Sequence, residues 1–497
     1  MCCHRPRGSV VSSMAQSYSW GRRRLLTAAG AAVAFRVTRS FAGVEAKSVV
    51  TERLAAYMAQ VRARELPEAA VTACKHRILD TFGAMVSGAR MKAGALAISY
   101  VEGLGGIAQA AVVASTVRTS AVNAAFANAM CAHADETDDF DPVTKAHPGC
   151  SAVPAALAMA QKNGASGVEF IRAVALGYDL GCRLLMALGP DVVRGAHRSA
   201  EGTAATFCAL GAAAPLARFD ESRMRFAISY AAQQVSGLWS WVDDEDHVEK
   251  AFDFAGMGAR NGVMAVTMVE AGMTGVRNVL DDSNNLFAAL SSQPQPEAMV
   301  EGLGTRFFVT ETALKTYSVG YPCQSALDAL LTLRKQYDLK AADVRSMVIR
   351  LPTDAVGIVG NSAMPDVNCQ HLAAVALLKG AVTFADSHDV SLMNESEVVA
   401  VRDRIQLLGD ASLMDPAAPR GAIVEVTLSN GMHVNHHTKF PPGTRENPLS
   451  SDAVSAKARD LMTPVLGAAK SGRLIEQVNS LERLDDVRRL APLLTLR

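Results

Sequence analysis

Five acidic side chains fall within seven positions, Asp135, Glu136, Asp138, Asp139 and Asp141, with His133 before them and His147 after. Like charges this close repel one another and lose hydration when covered, so a packed element does not carry them without a use. The run before them, Ser120 to Cys131, is almost all small and apolar and predicts a buried helix. Pro142 and Pro148-Gly149 break the chain, and the alanine-rich stretch from Ala152 onward predicts a second helix. The acids therefore belong to a loop at a helix end, held between two packed helices. A solvated acidic turn is the plain alternative. The flanking histidines and buried alanine helices favour the wall of a site instead.

The chain has 497 residues, enough for two domains or one large one with a sizeable core. Its apolar content is 49% with only 5% aromatics, a balance of alanine, leucine and valine that favours packed helices. Lys and Arg number 49 against 49 Asp and Glu, so no nucleic-acid footprint is visible. Seven of the arginines lie in residues 1–42, which hold no acid, and without them the balance is 42 basic to 49 acidic. Gly21-Arg22-Arg23-Arg24-Leu25-Leu26 resembles a twin-arginine export signal, and Leu25 to Phe35 is too short to span a bilayer. Small residues at Ser40-Phe41-Ala42 offer a cleavage site. A periplasmic enzyme without a stable membrane anchor is expected, or a cytoplasmic one if the leader is a misassigned start. Beyond the leader's Cys2 and Cys3, seven cysteines are scattered singly with no C-x-x-C pair, which reads as buried thiols rather than a metal knuckle or cluster.

Residues 47 to about 100 alternate at helical spacing, with Leu66-Pro67 marking a helix start. Ser166-Gly167-Val168-Glu169 is a capping-box pattern opening a run to Leu188. Asp220 to Gln234 and Ala259 to Gly272 predict further helices. The texture changes after Phe307. Val344 to Leu351 predicts a strand, and Ile423 to Thr438, broken by Ser429-Asn430-Gly431, predicts a hairpin with a type I′ turn. Ser325 to Tyr337, Cys369 to Phe384 and Glu397 to Leu408 predict helices between them. The fold class is mainly α. A large all-helical domain (46–313) carries a smaller α+β lid domain (314–447), and C-terminal helices (448–497) return to the first.

Four more positions stand out. His197 lies in a polar loop before a small-residue helix, and Lys250 follows the acidic loop Asp243 to Asp246. Lys315 stands at the junction of the two parts, where ligand clefts favour forming. His371 lies early in an apolar helix, where a polar ring needs a partner or a task. Each taken alone is more often a packing or solvated residue.

Their combination points further. His133 to Asp141, His147-Pro148-Gly149 and Val153-Pro154-Ala155-Ala156-Leu157-Ala158 resemble the MmgE/PrpD family. So do Lys250 with Ala259-Arg260-Asn261-Gly262, the Lys315 segment through Ala329, and Glu446-Asn447-Pro448-Leu449-Ser450. The family includes 2-methylcitrate dehydratase, cis-aconitate decarboxylase and iminodisuccinate epimerase. The resemblance implies a helical domain with an α+β lid, an active site between them, no cofactor or metal, and a homodimer. It places Glu136, Asp138, Asp139, His147, His197, Lys250 and Lys315 in the pocket, and sets His371 where the decarboxylase has a tyrosine. Departures are Phe140 for a usual threonine, one residue inserted before His147, and Gly320, Tyr321 and Gln324 for frequent histidine or cysteine, arginine and histidine. Tyr321 thereby becomes a candidate substrate contact, beside Lys315, His371 and Asp138.

These reactions all build carbanion character beside a carboxylate, so the expected partner is a small di- or tricarboxylic acid. Lysine ammonium groups offset such charge in a water-poor cleft. A histidine can move the proton, with Glu136 or Asp139 orienting or tuning the ring, and the helix after Gly149 offers backbone N–H groups to an anion. A dehydratase is the first expectation, an epimerase or decarboxylase the second. A magnesium-dependent terpene-synthase-like enzyme fits poorly, since Asp141 is one position early for D-D-x-x-D and aromatics are scarce. A periplasmic carboxylate-binding protein usually pairs two α/β lobes, which this half-helical chain does not. Phosphate-loop, dinucleotide and nucleophilic-serine motifs are absent.

Overall fold

The computed structural model describes residues 50–496; the arginine-rich leader lies outside them. The first part of the chain forms helices α1 (Val50–Gln60), α2 (Glu68–Gly88), α3 (Lys92–Leu104), α4 (Ala121–Ala132), α5 (Pro148–Asn163), α6 (Gly167–Leu188), α7 (Pro190–Gly195), α8 (Ala200–Ala213), α9 (Glu221–Ala232), α10 (Val248–Ala251), α11 (Met257–Glu270) and α12 (Leu286–Leu290). A two-residue ribbon, β1 (Ala110–Ala111) and β2 (Arg118–Thr119), interrupts them. Side-chain oxygens of Ser120, Ser166 and Asp220 cap α4, α6 and α9, and Ser166 with Glu169 closes a complete capping box.

Small residues let these helices meet at close range. A Cβ on Gly181 of α6 would lie 2.0 Å from Cys208 Sγ, and one on Gly258 of α11 would lie 2.3 Å from Ala205 Cβ. The alanine content is thus a packing requirement, because any added volume would drive the α6–α8–α11 layer apart. One boundary differs from expectation. α5 begins at Pro148, not Ala152, since proline at the first helical position suits its fixed φ and costs no hydrogen bond.

The second part holds α13 (Gln324–Tyr337), β3 (Val344–Leu351), α14 (Thr353–Val359), α15 (Cys369–Lys379), α16 (Phe384–His388), α17 (Ser396–Arg402), β4 (Ile405–Gly409), β5 (Ala422–Leu428) and β6 (His433–Thr438). The sheet runs β4-β3-β5-β6, with β3 parallel to β4 and antiparallel to β5. Every second residue of β5 is buried, the period of a strand with one covered face. Two expectations need correction. Glu397 to Leu408 is not one helix: it ends at Arg402, and Ile405 to Gly409 pair with β3, so sheet contacts override helical spacing. The hairpin turn is not type I′. Gly431 N donates to Leu428 O and only Gly431 has positive φ (+88°), which gives a three-residue loop with the glycine at the bulge.

Two hydrophobic cores result. One gathers the first twelve helices and the C-terminal α18 (Ser451–Leu466), α19 (Ala468–Asn479) and α20 (Ala491–Leu494); the other gathers residues 319–434 around the sheet. The fold is mainly α with one small mixed sheet. The seven described cysteines are free, buried thiols. No described helix is long and apolar enough to cross a membrane.

Candidate active site

The loop between α4 and α5 is buried, and so are all five of its acids. A solvated turn is excluded. Three of the acids hold the loop itself. Asp135 accepts from Ser87 Oγ at 2.5 Å and Thr137 N at 3.1 Å, and Asp141 accepts from Thr144 N at 3.1 Å. Asp139 Oδ1 accepts from Gly149 N at 2.9 Å, capping α5. A Cβ on Gly149 would stand 2.6 Å from that oxygen, so the Pro148-Gly149 pair is what lets acid and helix end meet. Burial pushes the Asp135 and Asp139 carboxyls up to about 6, against the pull of His388 and Arg77 respectively.

Glu136 and Asp138 face the other way. Glu136 sits in the left-handed region (φ +52°), a strained setting for a non-glycine residue that turns its carboxylate inward. Its Oε1 meets Lys250 Nζ, and its Oε2 accepts from Lys315 Nζ at 2.8 Å. Lys315 also donates to the Glu136 carbonyl at 2.9 Å. Asp138 Oδ1 lies 2.9 Å from His133 Nδ1 and its Oδ2 3.0 Å from His147 Nδ1, so one carboxylate orients two imidazoles. Burial raises both acids' pKa values, but the neighbouring cations and imidazoles outweigh it and hold both well below the carboxylate range. Burial lowers the Lys315 pKa, yet Glu136 and Asp138 overcome it and leave the ammonium raised.

Lys250 comes from α10, which a π-helical turn (Phe252–Gly256) continues into α11. Such turns re-aim side chains and recur at functional sites. Here the turn presents Phe254, whose ring stacks on His133 at 4.4 Å, and Lys250 Nζ stands 5.3 Å from the Trp241 ring centroid. His247, at φ +59°, puts Nε2 3.7 Å from Glu136 Oε1 and Nδ1 3.6 Å from Asp366. Burial and Lys250 push its pKa down to about 4.

Glu136, His147, Lys250, Phe254 and Trp241 border one narrow cavity. Gly320, Tyr321, Pro322, Ile358, Val367 and Arg420, from the sheet-bearing part, form its other side. Tyr321 stacks on Phe140 at 4.4 Å and also lines a neighbouring hollow that none of the three clustered histidines lines.

Of the residues expected in the site, Glu136, Asp138, His147, Lys250, Lys315 and Tyr321 come together. Lys315 lies behind Glu136, off the cavity wall. Three do not join. Asp139 is not an imidazole-orienting group, because α5 takes its oxygen; Asp138 has that task, and the anion at the α5 N-terminus is Asp139 itself. His197 is exposed at a left-handed turn (φ +57°), and Arg194 from the end of α7 just before it borders the cavity instead. His371 is buried in α15 with both ring nitrogens unpartnered, its charged neighbours being Arg402 and Asp389; burial pushes its pKa down to about 4. Sequence reading missed His247, Arg194 and Arg420. His247 stands one helical turn before Lys250, a spacing that was available as a signal.

His133, Asp138 and His147 offer three ligand atoms within 4.8 Å of one another, as do His133, Glu136 and His247. Their acids are already satisfied, Asp138 by two imidazoles and Glu136 by two lysines. A cation there would stand beside the Lys250 and Lys315 ammonium groups, which are hydrogen-bonded to Glu136, with Lys315 also 3.6 Å from Asp138, and this like charge disfavours it.

Two family profiles match the chain, the MmgE/PrpD N-terminal domain over residues 52–299 and the MmgE/PrpD C-terminal domain over 317–483. Among relatives, the cis-aconitate decarboxylase-like protein oryM of Aspergillus oryzae is 23% identical, over 90% of this chain and 97% of its own length. Cis-aconitate decarboxylase of Aspergillus terreus is 22% identical, over 92% and 98%. The Homo sapiens protein of that name is 23% identical, over 90% and 94%. With profile matches running almost end to end, and paired lysines and imidazoles gathered at one buried carboxylate loop, the chain belongs to the MmgE/PrpD family and is a lyase of that type.

Proposed function

We propose that this lyase is a cofactor-independent dehydratase that acts on a small di- or tricarboxylic acid through a carbanion-like intermediate. The observation that carries this reading is the Asp138–His147 pair. With Nδ1 held by the carboxylate at 3.0 Å, the ring keeps Nε2 as its free nitrogen on a residue that borders the cavity beside Lys250. A histidine so oriented is a general base, a contribution of roughly 10²- to 10⁴-fold. It removes the proton next to a substrate carboxylate. The Lys250 ammonium offsets the charge that then builds on that carboxylate, and the C–O bond on the adjacent carbon breaks as the hydroxyl takes the proton His147 had removed and departs as water, leaving the double bond. The apolar wall of Phe254, Trp241 and Ile358 keeps bulk water from weakening these interactions.

Decarboxylation is the second reading, favoured by the names of the relatives; it needs Lys250 for the same charge but no base. Incubation of the full chain in D₂O with 2-methylcitrate, citrate or cis-aconitate, followed by ¹H and ¹³C NMR, separates the two. Water loss with deuterium entering at the α-carbon supports the dehydratase. Carbon dioxide release from cis-aconitate supports the decarboxylase, and exchange alone would mark an epimerase. All three acids emerging unaltered and unlabelled would reject the reading.

A further inference from the structure

A second charged cluster borders the same cavity, and no ion pair among the described residues joins it to the first. Arg194 pairs with Glu201 and lies 4.9 Å from the Trp239 ring centroid. Arg420 Nη1 donates to both oxygens of Asp354 at 2.9 Å. Lys145, another left-handed non-glycine residue (φ +69°), puts Nζ 4.0 Å from that same Asp354 and donates to the Pro142 carbonyl at 2.9 Å. Arg194 and Arg420 thus have one carboxylate each, and Lys145 approaches Asp354 from outside the cavity wall, with Asp191 on the exposed rim of α7. In the first cluster two lysines answer two carboxylates, so its charge is closed. With Lys250, the two arginines are the lysine and arginine side chains that border this cavity.

Three donors on residues that border the cavity, Nε of Arg194, Nε of Arg420 and Nε1 of Trp241, are buried without a hydrogen-bond partner, and Arg420 is only 5% exposed. A buried donor left without an acceptor is costly, and guanidinium groups match the planar fork of a carboxylate. Burial, with Arg420 and Arg194 nearby, pushes the Lys145 pKa down to about 7, the effect of cations gathered where an anion would be favoured.

We propose that Arg194 and Arg420 form a carboxylate-anchoring subsite that selects substrates with a second carboxylate, remote from the one that faces Lys250. This rests on the lyase reading for the identity of the ligand, but not for the existence of the site. It makes the two arginines specificity-determining residues: they hold the far end of the molecule while His147 and Lys250 act on the near end.

Binding of non-reacting probes to the full chain tests the site apart from turnover. Tricarballylate and succinate should raise the melting temperature and titrate by calorimetry, whereas butyrate should bind at least tenfold more weakly. R194Q and R420K should each lose at least tenfold in tricarballylate affinity while butyrate affinity holds, and should raise KM for a turned-over acid more than they lower kcat. Glu201→Gln gives the opposite sign, because it frees Arg194 without removing volume; tricarballylate should bind three- to tenfold tighter, an outcome that misfolding cannot imitate. Unchanged tricarballylate binding in R194Q together with E201Q, or inorganic phosphate binding as well as tricarballylate, would overturn the subsite. Turnover persisting under those results would leave the lyase reading intact; absent turnover with the expected binding pattern would remove that reading and keep the subsite.

Discussion

The Glu136 cluster and the Arg194–Arg420 cluster border one cavity, yet they handle charge in contrasting ways. Around Glu136 and Asp138 every ammonium has a carboxylate within 3.6 Å or less, and two imidazoles share a single acid. Around Arg420 one carboxylate serves two cations and two guanidinium nitrogens stay idle. Paired charge fixes geometry, which chemistry requires, even though His133 Nε2 and both His247 nitrogens stay without hydrogen bonds there; guanidinium groups with idle donors suit recognition of an anion. Buried charge of the first kind is weak evidence for stability and good evidence for position.

This contrast can be broken at several points. Lys250→Ala or His147→Ala should lower kcat/KM by roughly 10²- to 10³-fold, mainly through kcat, as measured by NMR turnover. An equal loss appearing wholly in KM would erase the distinction between the clusters. Gly149→Ala drives a methyl into Asp139 and should cost about 2–3 kcal/mol in urea unfolding, because the acid must leave the α5 end.

His247→Gln sharpens the comparison through pH. In the folded chain His247 stays neutral down to about 4, while an unfolded histidine gains its proton near 6.5. Its contribution is therefore full above pH 6.5 and falls as the pH drops toward 4. Asp135 and Asp139, raised to about 6, act in the opposite sense: their contribution is full below the ordinary carboxylate range and is lost as pH rises through 6. Against that common background, urea unfolding at pH 7.5 and pH 5 should show the stability difference shrink by about 2 kcal/mol in the variant. Smallest of all, His197→Ala should keep kcat/KM within about twofold, since its exposed ring touches neither cluster.

Much of this was legible before any coordinates. The capping box at Ser166, the strand Val344 to Leu351 and the buried run before His133 follow from local patterning, which each segment settles for itself. The acidic loop was legible as a site wall because burying five acids demands partners. Which acid takes which partner was not. Asp138 and Asp139 are neighbours in sequence, and only the approach of Gly149 to one and of two imidazoles to the other separates their duties. Arg194 and Arg420 were invisible for a similar reason. They lie more than two hundred residues apart, and a lone arginine carries no signal until the fold shows that its neighbours leave a buried donor unbonded.

One backbone link carries a mechanical corollary. Phe140 and Ala313 exchange both of their main-chain hydrogen bonds, at 3.0 and 2.7 Å, and the next residue, Leu314, donates to Gly443 at 3.0 Å. The loop that bears Glu136, the segment that bears Lys315 and the stretch where the chain returns from the sheet are thus stitched side by side. The ammonium of Lys315 and the carboxylate of Glu136 are therefore aligned by main-chain contacts between their segments as well as by their own ion pair, so the alignment of that pair is built into the backbone and does not wait for a substrate.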